Sequence, residues 1–205
     1  MRRPDGWPAS ADRGDADRVR CGRYSTAMTI PPITSTRLDL VPMSPEFLTA
    51  VLEGERERAS ALLGCPLPEG WPGDAGPLLR MRLEQMRRDP AAAPWLLRAL
   101  VLREPQRAMV GRINFHGPPS PDGWVEIGYT THPEHRRRGY AEEATRALFD
   151  WAAREHGVRR VRASVSPTNE PSLALVRKLG LVQTGTQWDE EDGEELVFEG
   201  DWPPA

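Results

Sequence analysis

Cysteine is scarce in this chain: Cys21 and Cys65 are the only two among 205 residues. They lie far apart with no metal-ligand spacing, which argues against a disulfide framework or a zinc site and points to a reducing compartment. No apolar run is long enough to span a bilayer. The N-terminus carries arginines but not the apolar stretch of a secretory signal, so a soluble, cytoplasmic protein is expected. Charge of one sign is also missing. The 27 Lys and Arg are set against 30 Asp and Glu, a net charge of −3, and nothing in that balance favours nucleic acid or a membrane surface. No internal repeat is visible, and the length suits one domain with a sizeable core.

Residues 1–27 are rich in Arg, Asp, Gly, Pro and Ala and show no helical or strand period. A segment of that composition buries too little apolar surface to offset its ordering entropy. The expectation is a disordered tail, or a start site assigned too early with Met28 as the true beginning, followed by one domain over 28–205. Mass spectrometry of the natively expressed protein tests the second version, which an intact N-terminus at Met1 would overturn.

The remaining chain alternates strand and helix signals. Residues 36–41 alternate Leu38 and Leu40 with Arg37 and Asp39, a strand pattern. Ser44 is placed to cap a helix with Pro45 at its first position and Phe47, Leu48 and Val51 as its buried stripe. A Pro- and Gly-rich loop over 65–77 contains Trp71. Leu79, Leu83 and Met86 recur at helical spacing over 78–88, and Asp89-Pro90 stops that helix. Three antiparallel strands follow over 95–103, 108–116 and 124–131. The strongest helix covers 140–156, with Ala144, Leu148, Trp151 and Ala152 on one face. Glu142/Arg146 and Asp150/Arg154 are spaced there as ion pairs. A strand over 158–166, a helix over 169–179 ended by Gly180, and a hairpin over 182–188 and 194–199 turning at Asp192-Gly193 complete the chain.

Between the third antiparallel strand and the long helix stands His132-Pro133-Glu134-His135-Arg136-Arg137-Arg138-Gly139-Tyr140-Ala141. Strand, turn and helix N-terminus together present unpartnered backbone N–H groups at the positive end of a helix dipole, a seat for phosphate. Three consecutive arginines also suit a solvated turn. The run from Arg136 to Ala141 resembles the R/Q-x-x-G-x-G/A signature of the GNAT acetyltransferase superfamily. A second block, Asn169-Glu170-Pro171-Ser172-Leu173-Ala174-Leu175-Val176-Arg177-Lys178-Leu179-Gly180-Leu181, resembles that family's N-x-x-S-x-x-L/V-x-x-K-L-G-F, with Leu181 replacing Phe. Asn169 equally suits a helix cap, and both roles are compatible.

The two signatures, in the family's order over about residues 34–202, imply a GNAT-type α/β fold. Its central sheet is mixed and mostly antiparallel, flanked by helices in a single domain. The resemblance implies acetyl-CoA as co-substrate. Its pyrophosphate would lie on the backbone of Arg136, Arg137, Arg138, Gly139, Tyr140 and Ala141. The coenzyme would enter beside Tyr129, Thr130 and Thr131 and residues 163–166, with Asn169 reaching the pantetheine arm.

Neither cysteine sits in a nucleophile motif, so direct attack of a primary amine on the thioester in a ternary complex is the economical chemistry. Alternation puts Val125, Ile127, Tyr129 and Thr131 on one strand face and Trp124, Glu126, Gly128 and Thr130 on the other. Glu126, beside a glycine that leaves room for water or an amine, is the candidate base, against the ordinary reading of a strand glutamate in solvent. Glu126-Ile127-Gly128-Tyr129 resembles the E-I-G-Y of the ribosomal-protein N-terminal (serine/alanine) acetyltransferase branch. Val176 stands where many relatives carry a general-acid Tyr. That branch has a Ser at the position of Ser172, and the resemblance implies it as proton donor or coenzyme contact, against the ordinary reading of a first-turn serine bonded to local backbone.

The acceptor readings are a protein N-terminal α-amine or a small amine, and a non-catalytic acyl-CoA-binding module is the rival class. Asp189, Glu190, Glu191, Asp192, Glu194 and Glu195 either steer a cationic acceptor or are merely solvated. Trp71 either lines the acceptor cleft or anchors a local core. His132 and His135 have ligand-like spacing but no further ligand, so no metal is expected. Monomer and homodimer are both open.

Overall fold

Where β-branched and apolar residues alternate, the chain forms strands, and a sheet closed on both faces by helices results. The structure, a computed structural model, describes residues 30–190 and 193–204. The 1–27 segment, Met28, Cys21, Glu191 and Asp192 with its expected turn lie outside the described residues. The strands are β1 (Ile33–Thr34), β2 (Leu38–Pro42), β3 (Arg98–Leu102), β4 (Met109–Phe115), β5 (Trp124–Thr131), β6 (Arg160–Val165), β7 (Val182–Asp189) and β8 (Gly193–Asp201). The helices are α1 (Pro45–Leu52), α2 (Arg56–Leu63), α3 (Gly76–Arg88), α4 (Tyr140–His156) and α5 (Glu170–Lys178). The sheet order is β1-β2-β3-β4-β5-β6-β8-β7, and every pairing is antiparallel except that of β5 with β6.

Two cores form on the two faces. Leu100, Val110, Ile113, Phe115, Val125 and Ile127 pack with α4 and α5. On the opposite face Ala99, Val101 and Met109 pack with α1, α2 and α3. β3 therefore has no exposed side, and all five of its residues are buried. Among them is Arg98, which donates to the carbonyls of Pro31, Leu40 and Pro94 and lies 5.1 Å over the Trp151 ring. Burial lowers its pKa to about 10.

Local chemistry sets the helix ends as expected. The Ser44 hydroxyl accepts from the Phe47 N–H at 3.2 Å, with Pro45 at the first helical position. Asn169 Oδ1 accepts from the Ser172 N–H at 3.2 Å. The Glu142–Arg146 pair forms at 3.2 Å. The expected Asp150/Arg154 pair does not: Asp150 accepts instead from the Trp202 indole N–H at 2.8 Å. A tertiary partner inside the packed helix–sheet interface wins over an exposed pair four residues away.

Three boundaries depart from the sequence pattern. Residues 56–63 form α2, which buries only Ala59 and Leu63 and so shows little periodicity. Left-handed Gly54 (φ 79) separates it from α1. Residues 90–95 form a 3-10 turn rather than the start of β3, because Pro94 offers no ladder N–H. Residues 36–37 bend the chain from β1 into β2 instead of belonging to the strand.

The main core predicts a large cost for one ring. Phe115 is fully buried, with ring centroids 5.8 Å from Trp95 and 6.1 Å from Phe149. Phe115→Ala should destabilise the fold by about 3–5 kcal/mol, read as a lowered urea midpoint at unchanged slope. A loss below about 1 kcal/mol would contradict this packing.

Candidate active site

The site begins where two neighbouring strands stop pairing. β5 and β6 run parallel and are bonded only between residues 124–126 and 160–162. Beyond Glu126, β5 continues against β4 while β6 continues against β8, and the two strands part. The joined end is reinforced by Arg162, 4.2 Å over the Trp124 ring and 3.4 Å from Glu199. The gap leaves one edge of each strand without a sheet partner, so its backbone N–H and C=O groups are available to a ligand.

A cleft of about 890 Å³ opens at this gap. Tyr129, Thr130 and Thr131 form one wall, and Ser166, Asn169 and Ser172 the other. Arg136, Arg137, Gly139, Tyr140 and Ala141 line its end. Arg137 (φ 59) and Gly139 (φ 78) are both left-handed. Gly139 stands at the residue before α4, and among the described residues no side chain satisfies the first N–H groups of that helix. Free donors at a positive helix end, beside exposed arginines, make a turn whose chemistry suits an anion. Arg136 is braced by its Nε bond to the Thr131 carbonyl at 3.1 Å. Arg138 differs from its neighbours: its side chain turns back to the Glu134 carbonyl, and among the described residues it is not part of the cleft wall.

The Tyr129 hydroxyl is buried and makes no well-formed hydrogen bond among the described residues. Burial raises its pKa, and the nearby Ser172 hydroxyl acts the other way. Ser172 therefore stands on the cleft side of the sheet beside Tyr129.

Glu126 is on the other face, as alternation requires, at the last paired position before the gap. It is not simply solvated: Ser164 Oγ donates to Oε1 at 2.5 Å and His116 Nδ1 lies 4.0 Å from Oε2. Gln187 Nε2 donates to Ser164 Oγ at 3.0 Å and to Glu195 Oε2 at 2.9 Å, which extends the network to β7 and β8. Burial lowers the His116 pKa. The Glu126 carboxylate opposes that shift, Arg82 reinforces it, and Glu195 and Asp189 oppose it. At Gly128 a β-carbon would lie 3.1 Å from His116 Nε2 and 3.5 Å from Asn114 Nδ2, so the missing side chain is what accommodates these two neighbours.

Sequence reasoning missed His116, Ser164 and Gln187. Their signal was period two on β6 and β7 and at the residue just past the end of β4. It needed the register that sets His116 beside Glu126 and the insertion of β8 between β6 and β7. Trp71 packs at 5.9 Å on Phe47 in the second core and takes no part in the cleft. Of the acidic hairpin residues, Glu195 belongs to the network, while Glu190 and Glu194 are exposed. His135 lines the cleft, and no group of three or more potential metal ligands occurs among the described residues.

Residues 37–182 match the acetyltransferase (GNAT) domain model. The chain belongs to the GNAT family. The uncharacterized N-acetyltransferase YjdG of Bacillus subtilis is 34% identical over 83 residues, 40% of this chain and 49% of that protein. The chain thus spans about half the length of the curated relatives it matches. Among solved structures, a GNAT-family acetyltransferase from Bacillus anthracis is 19% identical, with TM-score 0.57, covering 83% of this chain and 98% of that one. The ribosomal-protein-S5-alanine acetyltransferase of Vibrio fischeri is 15% identical with TM-score 0.57, covering 84% and 99%. The ribosomal L7/L12 α-N-protein acetyltransferase RimL, solved with coenzyme A, is 17% identical with TM-score 0.57, covering 83% and 97%. At these identities the likeness concerns the fold. The mixed, mostly antiparallel sheet is the GNAT arrangement.

The GNAT helix that opens at the anion seat is tied to the β1–β2 bend through Glu143. Its carboxylate accepts from the Ser35 hydroxyl at 2.7 Å and from the Arg37 N–H and Nε at 2.6 Å each. Against the desolvation that burial imposes, these bonds hold its carboxyl below the usual value of 4.5. A carboxyl with a depressed folded pKa stabilises the fold above its unfolded value, and that contribution is lost as pH falls through the folded one. Glu143→Gln should therefore be less stable than wild type at pH 7, with the gap narrowing on acidification below about pH 4. Urea midpoints across that window check it; a constant gap would contradict the tie.

Proposed function

We propose that this chain transfers an acetyl group from acetyl-CoA to a primary amine by direct attack, without an acyl-enzyme. The observation that carries the reading is the parting of β5 from β6 over an uncapped α4 N-terminus, with the GNAT signature at that turn. Backbone donors of residues 136–141, with Arg136 and Arg137, would hold the pyrophosphate, and Asn169 the pantetheine arm. The amine nitrogen bonds to the thioester carbon, the C–S bond breaks, and coenzyme A leaves as thiolate. Free N–H groups along the gap polarise the carbonyl as charge develops on its oxygen.

Glu126 takes the amine's proton, directly or through one water, from the far side of the gap. Ser172 is the donor or coenzyme contact on the cleft side. A thiol of ordinary pKa, about 8.5, leaves with little need of an acid, consistent with Val176 standing where relatives carry Tyr.

The acceptor in this reading is a protein N-terminal α-amine. Such amines have pKa of about 7.7–8.0, against about 10.4 for lysine, and so need only a single carboxylate to be neutral at working pH. The E-I-G-Y run and the fold of the ribosomal-protein acetyltransferases agree with it. A small amine is the second reading, favoured by the side chains that fill the space at Gly128 and narrow that face.

Thermal shift with acetyl-CoA, followed by thiol release over peptide and small-amine panels, tests both. Saturation at a hundredfold excess over Kd should add about 2.7 kcal/mol, roughly 5–10 °C. Glu126→Gln should keep that shift and lose amine-dependent thiol release by about 10²–10⁴-fold. Binding without any amine-dependent release would leave an acyl-CoA-binding module instead, and no shift in folded protein would sink both.

A further inference from the structure

Arg37 lies far from the signature in sequence, at the bend between β1 and β2, yet its polar atoms reach both the signature turn and the helix that follows it. Its N–H and Nε hold Glu143 of α4, and Nη1 donates to the Arg138 carbonyl at 3.0 Å. Its guanidinium carbon lies 4.7 Å from the centre of the Tyr140 ring. Nη2 would stand 3.4 Å from a β-carbon on Gly139. One side chain thus contacts the turn, the cap and the first turns of the helix.

The consequence lies in one peptide plane. In a trans peptide the carbonyl of Arg138 and the N–H of Gly139 point in opposite directions. A carbonyl drawn outward to Arg37 leaves the Gly139 N–H directed to the opposite side, toward the cleft that Gly139 lines. It also keeps a partial negative charge away from the anion seat. The arrangement needs support, because Arg137 is a non-glycine residue held at φ 59. Glu143 fixes the guanidinium and neutralises much of its charge, so orientation rather than net charge is what Arg37 contributes.

We propose that Arg37 is a positioning residue for the coenzyme: it presets the Arg138–Gly139 peptide so that the Gly139 N–H faces the pyrophosphate. The proposal rests on the acetyl-CoA reading above, and the experiment separates the two. Titrations of the full chain with coenzyme A and with pantetheine, which lacks the pyrophosphate, are compared for wild type, Arg37→Gln and Arg37→Lys. Loss of one charge-assisted contact should weaken coenzyme A about tenfold or more in Arg37→Gln while pantetheine affinity is unchanged. Lysine restores the charge but cannot hold Glu143 and the Arg138 carbonyl together, so Arg37→Lys should show most of the same loss even if Arg37→Gln fails to fold.

Equal losses for both ligands would make Arg37 merely structural and overturn the proposal. So would unchanged coenzyme A binding, or full rescue by lysine. A wild type that binds no coenzyme A would overturn the acetyl-CoA reading itself, and this one with it.

Discussion

The parting of β5 from β6 after Glu126 is the constraint on which the rest of the site depends. A parallel pair continued to the strand ends would satisfy every backbone group and leave a flat sheet with nothing to bind. Here the pairing ends after three residues on each strand. The outer strands pull the two apart, since each keeps its antiparallel neighbour through the region where the partners diverge. The groups thereby released are fixed by continuous ladders on their far sides, so they face the gap with little freedom to move. Preorganised donors of this kind are worth most where charge develops during a reaction.

The gap also joins two faces of unlike character. On one side stand the anion seat and the cleft, built largely from main chain, with left-handed Arg137 and Gly139 shaping the turn. On the other side stand Glu126, Ser164, Gln187 and Glu195, one from each of four strands, with His116 from just past the end of β4. A coenzyme held through backbone atoms tolerates change in most surrounding side chains. An acceptor met by side chains does not. In the proposed reaction each substrate approaches from its own face, and Glu126 sits at the junction because it is the last residue before the strands separate.

That division decides what could be read from the sequence. The turn at residues 136–141 and the cap at Asn169 are local, made by residues adjacent in the chain, and their spacing survives as a pattern. α4 was legible to the residue because its stripe, its Gly139 start and its Gly157 stop all agree. α2 was not, because two buried positions in eight residues make no period. Nor was the environment of Glu126, which depends on the register of β4 on β5 and on β8 lying between β6 and β7. Ser164 and Gln187 are 23 residues apart yet share a hydrogen bond, and only that strand order brings them together.

The same logic explains why a residue as important to the turn as Arg37 carries no signature of its own. Its partners Arg138 and Glu143 are more than a hundred residues away in sequence. The motif specifies a turn whose backbone can form an anion seat. It does not specify how the peptide plane before Gly139 is turned, because glycine adopts left- and right-handed backbone about as readily and a neighbouring donor can decide between them. The tight bend after β1 supplies that donor. A bend at the edge of the sheet thus acts on the cleft through a single carbonyl, by fixing the direction of the N–H on the other side of the same amide.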